Sequence, residues 1–422
     1  MTAILAQGQG LIGIGLILLL AWGLSEDRGA RPSWKWIGSA LLLQLAIAVT
    51  VINVPAIWAA VGIANDGVSA IERATLVGSS YMFGFIGGAP LPFELRPGAA
   101  APVVIAFQIL PLIIVFSALS ALLWHWGILR AIVRGLSWAM RKSMGVSGVV
   151  GLGAGTAIFL GVVESPLVLR AWFDRMSRAD LFANMVLTMA TISGAILILY
   201  ASTLSAVLPN AVSHMIVASL IALPAAVLIA RIMVPGTGAT DTAEVVADLA
   251  YESSIDALVR GTMEGVQLMF AVIGIIIVVF ALVNLVDQAL ALLPLVDGDP
   301  LTLRRGFGWV FAPLMWSIGI PWDQSPAAGA LMGTKTILNE YVAYLDMAAL
   351  PPETFDPRSK LIMTYALCGV ANLASVGLIV STIGTLAPTR RTEVAALGMK
   401  SWIAGNFASA MTGAVIGIVT LA

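Results

Sequence analysis

The sequence predicts an all-α polytopic membrane protein: eight transmembrane helices, two oppositely oriented re-entrant helical hairpins, interfacial helices and an inverted repeat. Three observations carry this. Hydrophobic residues make up 59% and charged residues 11% of the 422 residues, against about 45–50% and about 25% in soluble domains. Apolar runs of roughly 20 residues, enough to cross a bilayer, recur along the whole chain. Two carboxylates, Glu164 and Glu340, lie inside apolar stretches that glycine and proline interrupt. Backbone polar groups in lipid need internal partners, which leaves a helical bundle or a closed barrel. Long runs without alternation select the bundle.

The first span is read at 11–24. No basic residue precedes it and no clean small-residue cleavage site follows, so it is a retained helix rather than a signal peptide. Further spans are expected at 37–60, 103–124, 181–207, 212–234, 266–293, 361–386 and 402–421. Residues 62–101 are mixed, rich in Gly and Pro, and read as surface or interfacial. Residues 128–142 carry Ile128, Leu129, Ile132, Val133, Leu136 and Met140 on one helical face and Arg130, Arg134, Ser137 and Arg141 on the other. With Trp126 and Trp138 nearby, this is a helix lying in the membrane plane. The competing reading is a partner-binding helix.

Positive charge on short loops marks the cytoplasmic side. With Arg28, Arg31 and Lys35 inside, the N-terminus lies outside, and Arg130, Arg134, Arg141 and Lys142 fall inside after two more crossings. The stretch 144–169 cannot then cross, because Arg170, Arg175 and Arg178 would be left outside. Its six glycines and Pro166 also suit a hairpin better than a straight helix. A second hairpin, entering from outside, is expected at 306–344, which carries Pro313, Pro321, Asp323, Pro326, Lys335 and Glu340. Arg390, Arg391 and Lys400 fall inside. Arg304 and Arg305 fall outside, an exception to the rule. In designs with inverted repeats, solutes bind near mid-membrane where broken helices meet.

Several function classes drop out. A net charge of −1 gives no basic field for nucleic acid. The single cysteine, Cys368, excludes disulfides, and His125 and His214 are too far apart to suggest a metal site. Gly151-Leu152-Gly153-Ala154-Gly155 looks like a nucleotide loop but follows no strand. An enzyme is disfavoured, since no nucleophile, histidine partner or metal motif accompanies the glutamates. An ionised carboxylate in hydrocarbon costs at least a few kcal/mol and normally faces a cavity, a partner or a substrate. Glu164 and Glu340 therefore point to a transporter. The bland alternatives are a helix-capping Glu164 and a structural Glu340–Lys335 pair. Asn372 and Ser375, spaced i, i+3, would share a helix face. Thr191-Ile192-Ser193-Gly194 marks an unwound point or ordinary helix packing.

Together these residues resemble the concentrative nucleoside transporter family. The likeness is strongest in Ile158-Phe159-Leu160-Gly161 with Glu164-Ser165-Pro166, in Asn339-Glu340-Tyr341-Val342-Ala343-Tyr344, and in Cys368-Gly369-Val370-Ala371-Asn372-Leu373-Ala374-Ser375. Leu386-Ala387-Pro388-Thr389-Arg390-Arg391 matches too. The resemblance implies eight spans, two hairpins, a homotrimer in the lipid bilayer and elevator-type movement. It also implies scaffold helices in 1–125 and 261–300, and a transport domain formed by 126–260 and 301–422. By the same resemblance Glu164 helps hold a nucleobase, partly through water, while Glu340, Asn372 and Ser375 bind ribose hydroxyls. A bacterial inner membrane with a periplasmic N-terminus is expected, and no cofactor.

Two departures matter. The family's hairpin tip usually reads Gly-Gln-Thr/Ser-Glu, whereas this chain has Gly161-Val162-Val163-Glu164, so Val162 and Val163 cannot hydrogen-bond a base. Unpaired buried polar groups cost roughly 1–3 kcal/mol each, which favours a changed base, a smaller ligand or a ribosyl compound with a less polar aglycone. Sodium-coupled members usually have Asn where this chain has Ala157 and Ser where it has Thr191, with backbone carbonyls near Ile192 completing the site. Loss of a side-chain oxygen at Ala157 shifts the expectation to proton coupling through Glu164 or Glu340, with sodium the alternative. The rival to a transporter is a sensor on the same fold.

Overall fold

The computed structural model describes residues 3–30, 32–95, 103–162, 164–205, 207–236, 251–296 and 298–420. Among these, every regular element is helical apart from one isolated bridge between Val296 and Asp299. The first six helices are α1 (Ala3–Gly23), α2 (Trp34–Asn53), α3 (Pro55–Phe83), the single turn α4 (Ile105–Gln108), α5 (Pro111–His125) and α6 (Ile128–Met144). Then come α7 (Gly148–Phe159), α8 (Glu164–Leu169), α9 (Arg178–Ala190), α10 (Gly194–Leu204) and α11 (Ala211–Met233). The rest are α12 (Ser254–Leu290), α13 (Leu303–Ser317), α14 (Ser325–Ile337), α15 (Glu340–Ala349), α16 (Pro357–Leu367), α17 (Leu373–Leu386) and α18 (Arg391–Val419).

Six stretches of the described residues are long and apolar enough to cross a membrane: Trp34–Asn53, Ile105–His125, Arg178–Leu204, Ala211–Met233, Ser254–Leu290 and Pro388–Val419. Gly8–Gly23 and Leu373–Leu386 are apolar but shorter. At 1.5 Å per residue, the 12 residues of α7 reach only about 18 Å. That falls well short of the roughly 30 Å hydrocarbon core. Neither α7 nor the 13-residue α14 crosses alone.

Two expectations need correction. Residues 37–60 do not form one span: α2 ends at Asn53, and Pro55 opens α3. Proline suits the first turn of a helix, where its missing N–H is not needed. Within 62–101, residues 62–83 belong to the 29-residue α3, and its exposed face agrees with a surface position (Tyr81 is 88% exposed). Residues 306–344 are not a single hairpin either. α13 is a separate helix packed along α14, with Pro313 inside it, and the sharp break falls at 338–339 between α14 and α15.

α9, α11 and α18 form the buried centre. Small residues let these backbones approach: a Cβ on Gly405 would stand 2.7 Å from Met189 Cβ, and one on Gly413 2.9 Å from Ala366 Cβ. The glycines of α7 serve the same end. A Cβ on Gly155 would meet Val133 O of α6 at 2.7 Å, and one on Gly151 would meet Ser137 O at 2.9 Å. α1 and α2 pack onto α11 and α18, whereas α12 packs chiefly onto α5. Gly261 and Gly265 bring α12 close, within 2.7 Å of Ala121 Cβ and Ile114 Cα for an added Cβ. The rest of α12 exposes apolar side chains such as Phe270, Ile277 and Leu285.

An ionic cluster joins three helix ends. Arg178 at the start of α9 pairs with Glu26 (2.8 Å) and Glu393 (3.1 Å), and Glu26 also takes Lys400 (2.6 Å). Arg390 pairs with Glu393 at 2.6 Å. Arg178, Arg390 and Lys400 thus lie together at one end of the bundle.

Candidate functional site

Four helices are interrupted inside the bundle, at 160–163, 191–193, 338–339 and 368–372. All four breaks line one cavity of about 150 Å³. Helix ends leave backbone groups without intrahelical partners, so such a meeting point is polar even though the helices around it are apolar. α12 closes the side with Leu268, Val272, Ile275 and Ile276.

The best-ordered wall is built on Glu340. Asn339 caps α15, its Oδ1 accepting from Val342 N at 2.8 Å, which makes Glu340 the first residue of that helix. A carboxylate is favourable at a helix N-terminus. Glu340 Oε1 accepts a bond from the Tyr200 hydroxyl at 2.5 Å, and Oε2 accepts one from Asn372 Nδ2 at 2.8 Å. Asn372 is not on a helix face with Ser375, as the spacing suggested: it is the N-cap of α17, and its Oδ1 accepts from Ser375 N at 2.9 Å. Tyr200 stacks on Tyr341 with centroids 5.6 Å apart and packs against Tyr344 at 5.3 Å. The supposed pair between Glu340 and Lys335 does not form. Lys335, fully buried, donates to Asn406 Oδ1 at 3.0 Å, and the Asn406 amide in turn donates to Ala371 O at 2.9 Å.

The opposite wall is the α7–α8 tip. Glu164 opens α8, and its carboxylate folds back over Gly161 so closely that a Cβ there would overlap Oε2. Gly161 is therefore a close-approach glycine rather than a flexible one. Val162 also lines the cavity, while Val163 lies outside the described residues. Thr191 sits beneath the tip. Its one hydroxyl proton is shared between Ala157 O at 3.0 Å and Leu187 O at 2.9 Å, and its own carbonyl accepts from Val370 N. Three breaks are thus tied at one threonine.

The cavity brings together Ala157, Val162, Glu164, Thr191, Glu340, Asn372 and Ser375. Ile192 is next to it but fully buried, its side chain outside the wall. Sequence reasoning missed Tyr200, Tyr341, Asn339, Thr188 and Ser193 as lining groups. A tyrosine in an otherwise apolar helix was the one available signal for Tyr200, because a buried phenol needs a partner. For Asn339 the signal was its place directly before a helix-opening glutamate.

Comparisons with known proteins agree along the whole chain. Family models match at 12–86 (Na+ dependent nucleoside transporter N-terminus), 106–207 (nucleoside recognition gate) and 214–417 (Na+ dependent nucleoside transporter C-terminus). An uncharacterized transporter of Haemophilus influenzae is 32% identical, over 97% of this chain and 96% of that protein. The putative nucleoside permease NupX of Escherichia coli is 30% identical, over 97% and 98%. Among solved structures, CNTnw in an inward-facing substrate-bound state superposes with a TM-score of 0.86 at 32% identity, covering 98% of both chains. A CNTnw variant in an outward-facing state gives 0.89 at 31% identity, again over 98% of both. With relatives this similar over nearly its full length, the chain belongs to the concentrative nucleoside transporter family, a family of membrane transporters and not of enzymes.

Proposed function

We propose that the protein imports nucleosides or close ribosyl analogues across a bacterial inner membrane, coupled to protons, by elevator-type alternating access. The observation that carries this reading is Glu340, fixed by Tyr200 and Asn372 at the lip of the cavity with Glu164 on the facing wall. A carboxylate with spare lone pairs and a fixed orientation suits a pair of adjacent hydroxyls, so the Glu340, Asn372 and Ser375 wall takes the sugar. The base then lies toward Val162 and Glu164, where Glu164 offers the charged contact.

α7–α8 and α14–α15 act as the two re-entrant hairpins, and α16–α17 together with α1 complete eight crossings, the N-terminus being periplasmic. α5 and α12 form the scaffold of a homotrimer. This is narrower than assigning 1–125 and 261–300 to it, because α1 and α2 pack on α11 and α18. The exposed apolar flank of α12 supports this role. α6–α11 and α13–α18, with α1 and α2, move as the transport domain.

Proton coupling is favoured by the α7 end. Ala157 supplies only its carbonyl, and that carbonyl is served by the Thr191 hydroxyl proton, which leaves a poor oxygen set for sodium there, with Ile192 able to add only a backbone group. Uptake of labelled uridine and adenosine into proteoliposomes, under a proton gradient and separately under a sodium gradient, tests the whole reading. Accumulation driven by protons alone is expected. Accumulation under sodium alone overturns the coupling, and ligand binding without accumulation under either gradient makes the protein a sensor. Glu340→Gln should cripple binding without disturbing trimer assembly.

A further inference from the structure

A second cavity, of about 100 Å³, lies behind the α7–α8 tip. It shares Leu160, Gly161, Glu164, Ser193 and Leu268 with the first, so Glu164 stands in the partition between the two. Its far wall carries Glu264 and Arg260 of α12, with Tyr251 just before that helix. Glu264 and Arg260 are both exposed, at the end of α12 that follows the polar 236–253 segment. Arg260 lies over the Tyr251 ring at 5.0 Å and reaches Asp256 at 3.6 Å. α5 contributes Ser117, Ser120 and Trp124. Trp124 is 1% exposed, yet its Nε1 has no hydrogen-bond partner. A buried indole N–H left unpaired beside a polar cavity is the mark of a place that water fills.

We infer that this cavity is a proton antechamber in which Glu264 exchanges protons with the aqueous face and passes them, through water held by Trp124 and the two serines, to Glu164. The inference rests on the proton-coupled reading above and adds the route. Each transfer is balanced: the Glu264 carboxyl O–H bond breaks as an O–H bond forms on water, and that water gives up a proton to a Glu164 oxygen. Glu264 is then left as a carboxylate beside Arg260, ready to be reprotonated from solvent. The charged and titratable groups around Glu264 are Glu164 on the tip, Tyr251, and Arg260 and Asp256 on its own helix. From α5, the wall residues Ser117, Ser120 and Trp124 carry no charge, and His125 follows Trp124 at the end of that helix. Because α12 packs on α5 and belongs to the proposed scaffold while Glu164 rides on the tip, the relay is made in one position of the transport domain and broken in the other. That is what coupling demands of a proton path.

The test compares wild type, Glu264→Gln and Glu264→Asp in proteoliposomes with labelled uridine, reading proton-driven accumulation and, separately, uridine counterflow with no proton gradient. Proton-driven accumulation should fall roughly a hundredfold in Glu264→Gln, the scale of losing a positioned proton carrier, and recover in part with Glu264→Asp. Counterflow should persist, because Glu264 does not line the substrate cavity, and it also reports that the variant is folded. Wild-type accumulation that the Gln variant reproduces overturns the antechamber while leaving proton coupling intact. Wild-type accumulation under sodium alone overturns both.

Discussion

Replacing Tyr200 with Phe removes one oxygen and nothing else from the Glu340 wall. The ring keeps its stack on Tyr341, so packing is held while the 2.5 Å bond to Glu340 Oε1 is lost. Hydrogen bonds to charged groups contribute about 1.5–3 kcal/mol. Asn372 continues to hold the other oxygen and water recovers part of the loss, so the low end applies, about 1.5 kcal/mol. At 1.4 kcal/mol per factor of ten, nucleoside affinity should fall about tenfold. Tyr344→Phe is the control: its hydroxyl donates to Thr364 O at 2.8 Å and does not touch Glu340, so it should lower thermal stability by about 1 kcal/mol and leave affinity unchanged. Titration calorimetry on purified protein reads the affinities, and thermal unfolding reads the stabilities. Wild-type affinity in Tyr200→Phe, or an equal loss in both variants, refutes the view that the phenol sets Glu340 for binding.

Asn406→Ala should cost roughly 3 kcal/mol of stability, seen as a lower unfolding temperature, because it strips the acceptor from a fully buried Lys335 and the donor from Ala371 O. Gly161→Ala should leave the unfolding temperature near wild type but reduce uptake about tenfold or more, since the new methyl must displace the Glu164 carboxylate; normal uptake would detach that carboxylate from the site. Glu26 is held at about 2, below its ordinary 4.5, mainly by its bond to Arg178 and then by Lys400. A depressed carboxylate stabilises the fold above its unfolded value and loses that contribution as pH falls from 4.5 toward 2. At a solvent-facing cluster this is worth at most about 1 kcal/mol. Unfolding temperatures of wild type and Glu26→Gln should therefore differ at pH 7 and converge near pH 2.

The carboxylates were legible because a charge in an apolar run is costly and so must be used. The breaks were legible where glycine, proline and hydroxyl residues cluster, as at 160–166 and 191–194. Tyr200 was not, because its partner Glu340 lies 140 residues away and one tyrosine leaves no periodic trace. α3 was not legible as a helix, since Gly62, Gly67 and Gly78 interrupt its apolar pattern. All three face open space along the helix, where glycine costs only about 1 kcal/mol each. Proline misled in the same way. Pro313 lies within α13 and Pro326 opens α14, so neither marks the sharp break, which is set at Asn339. The Asn372 and Ser375 pair was found for a wrong reason: their spacing reflects a cap, not a shared helix face.

Asn372 uses its two ends for different tasks, Oδ1 to start α17 and Nδ2 to hold Glu340. Aspartate would keep the cap but set a second negative charge against Glu340, and alanine would lose both contacts. With the sugar on that wall as proposed, mutational drift there is penalised twice, once through folding and once through binding. Val162 on the facing wall carries no such double duty, and a substitution there alters what the cavity accepts without undoing a helix. Descendants of this sequence are free to explore new ligands from one side only, keeping one half of the molecule they recognise while the other half changes.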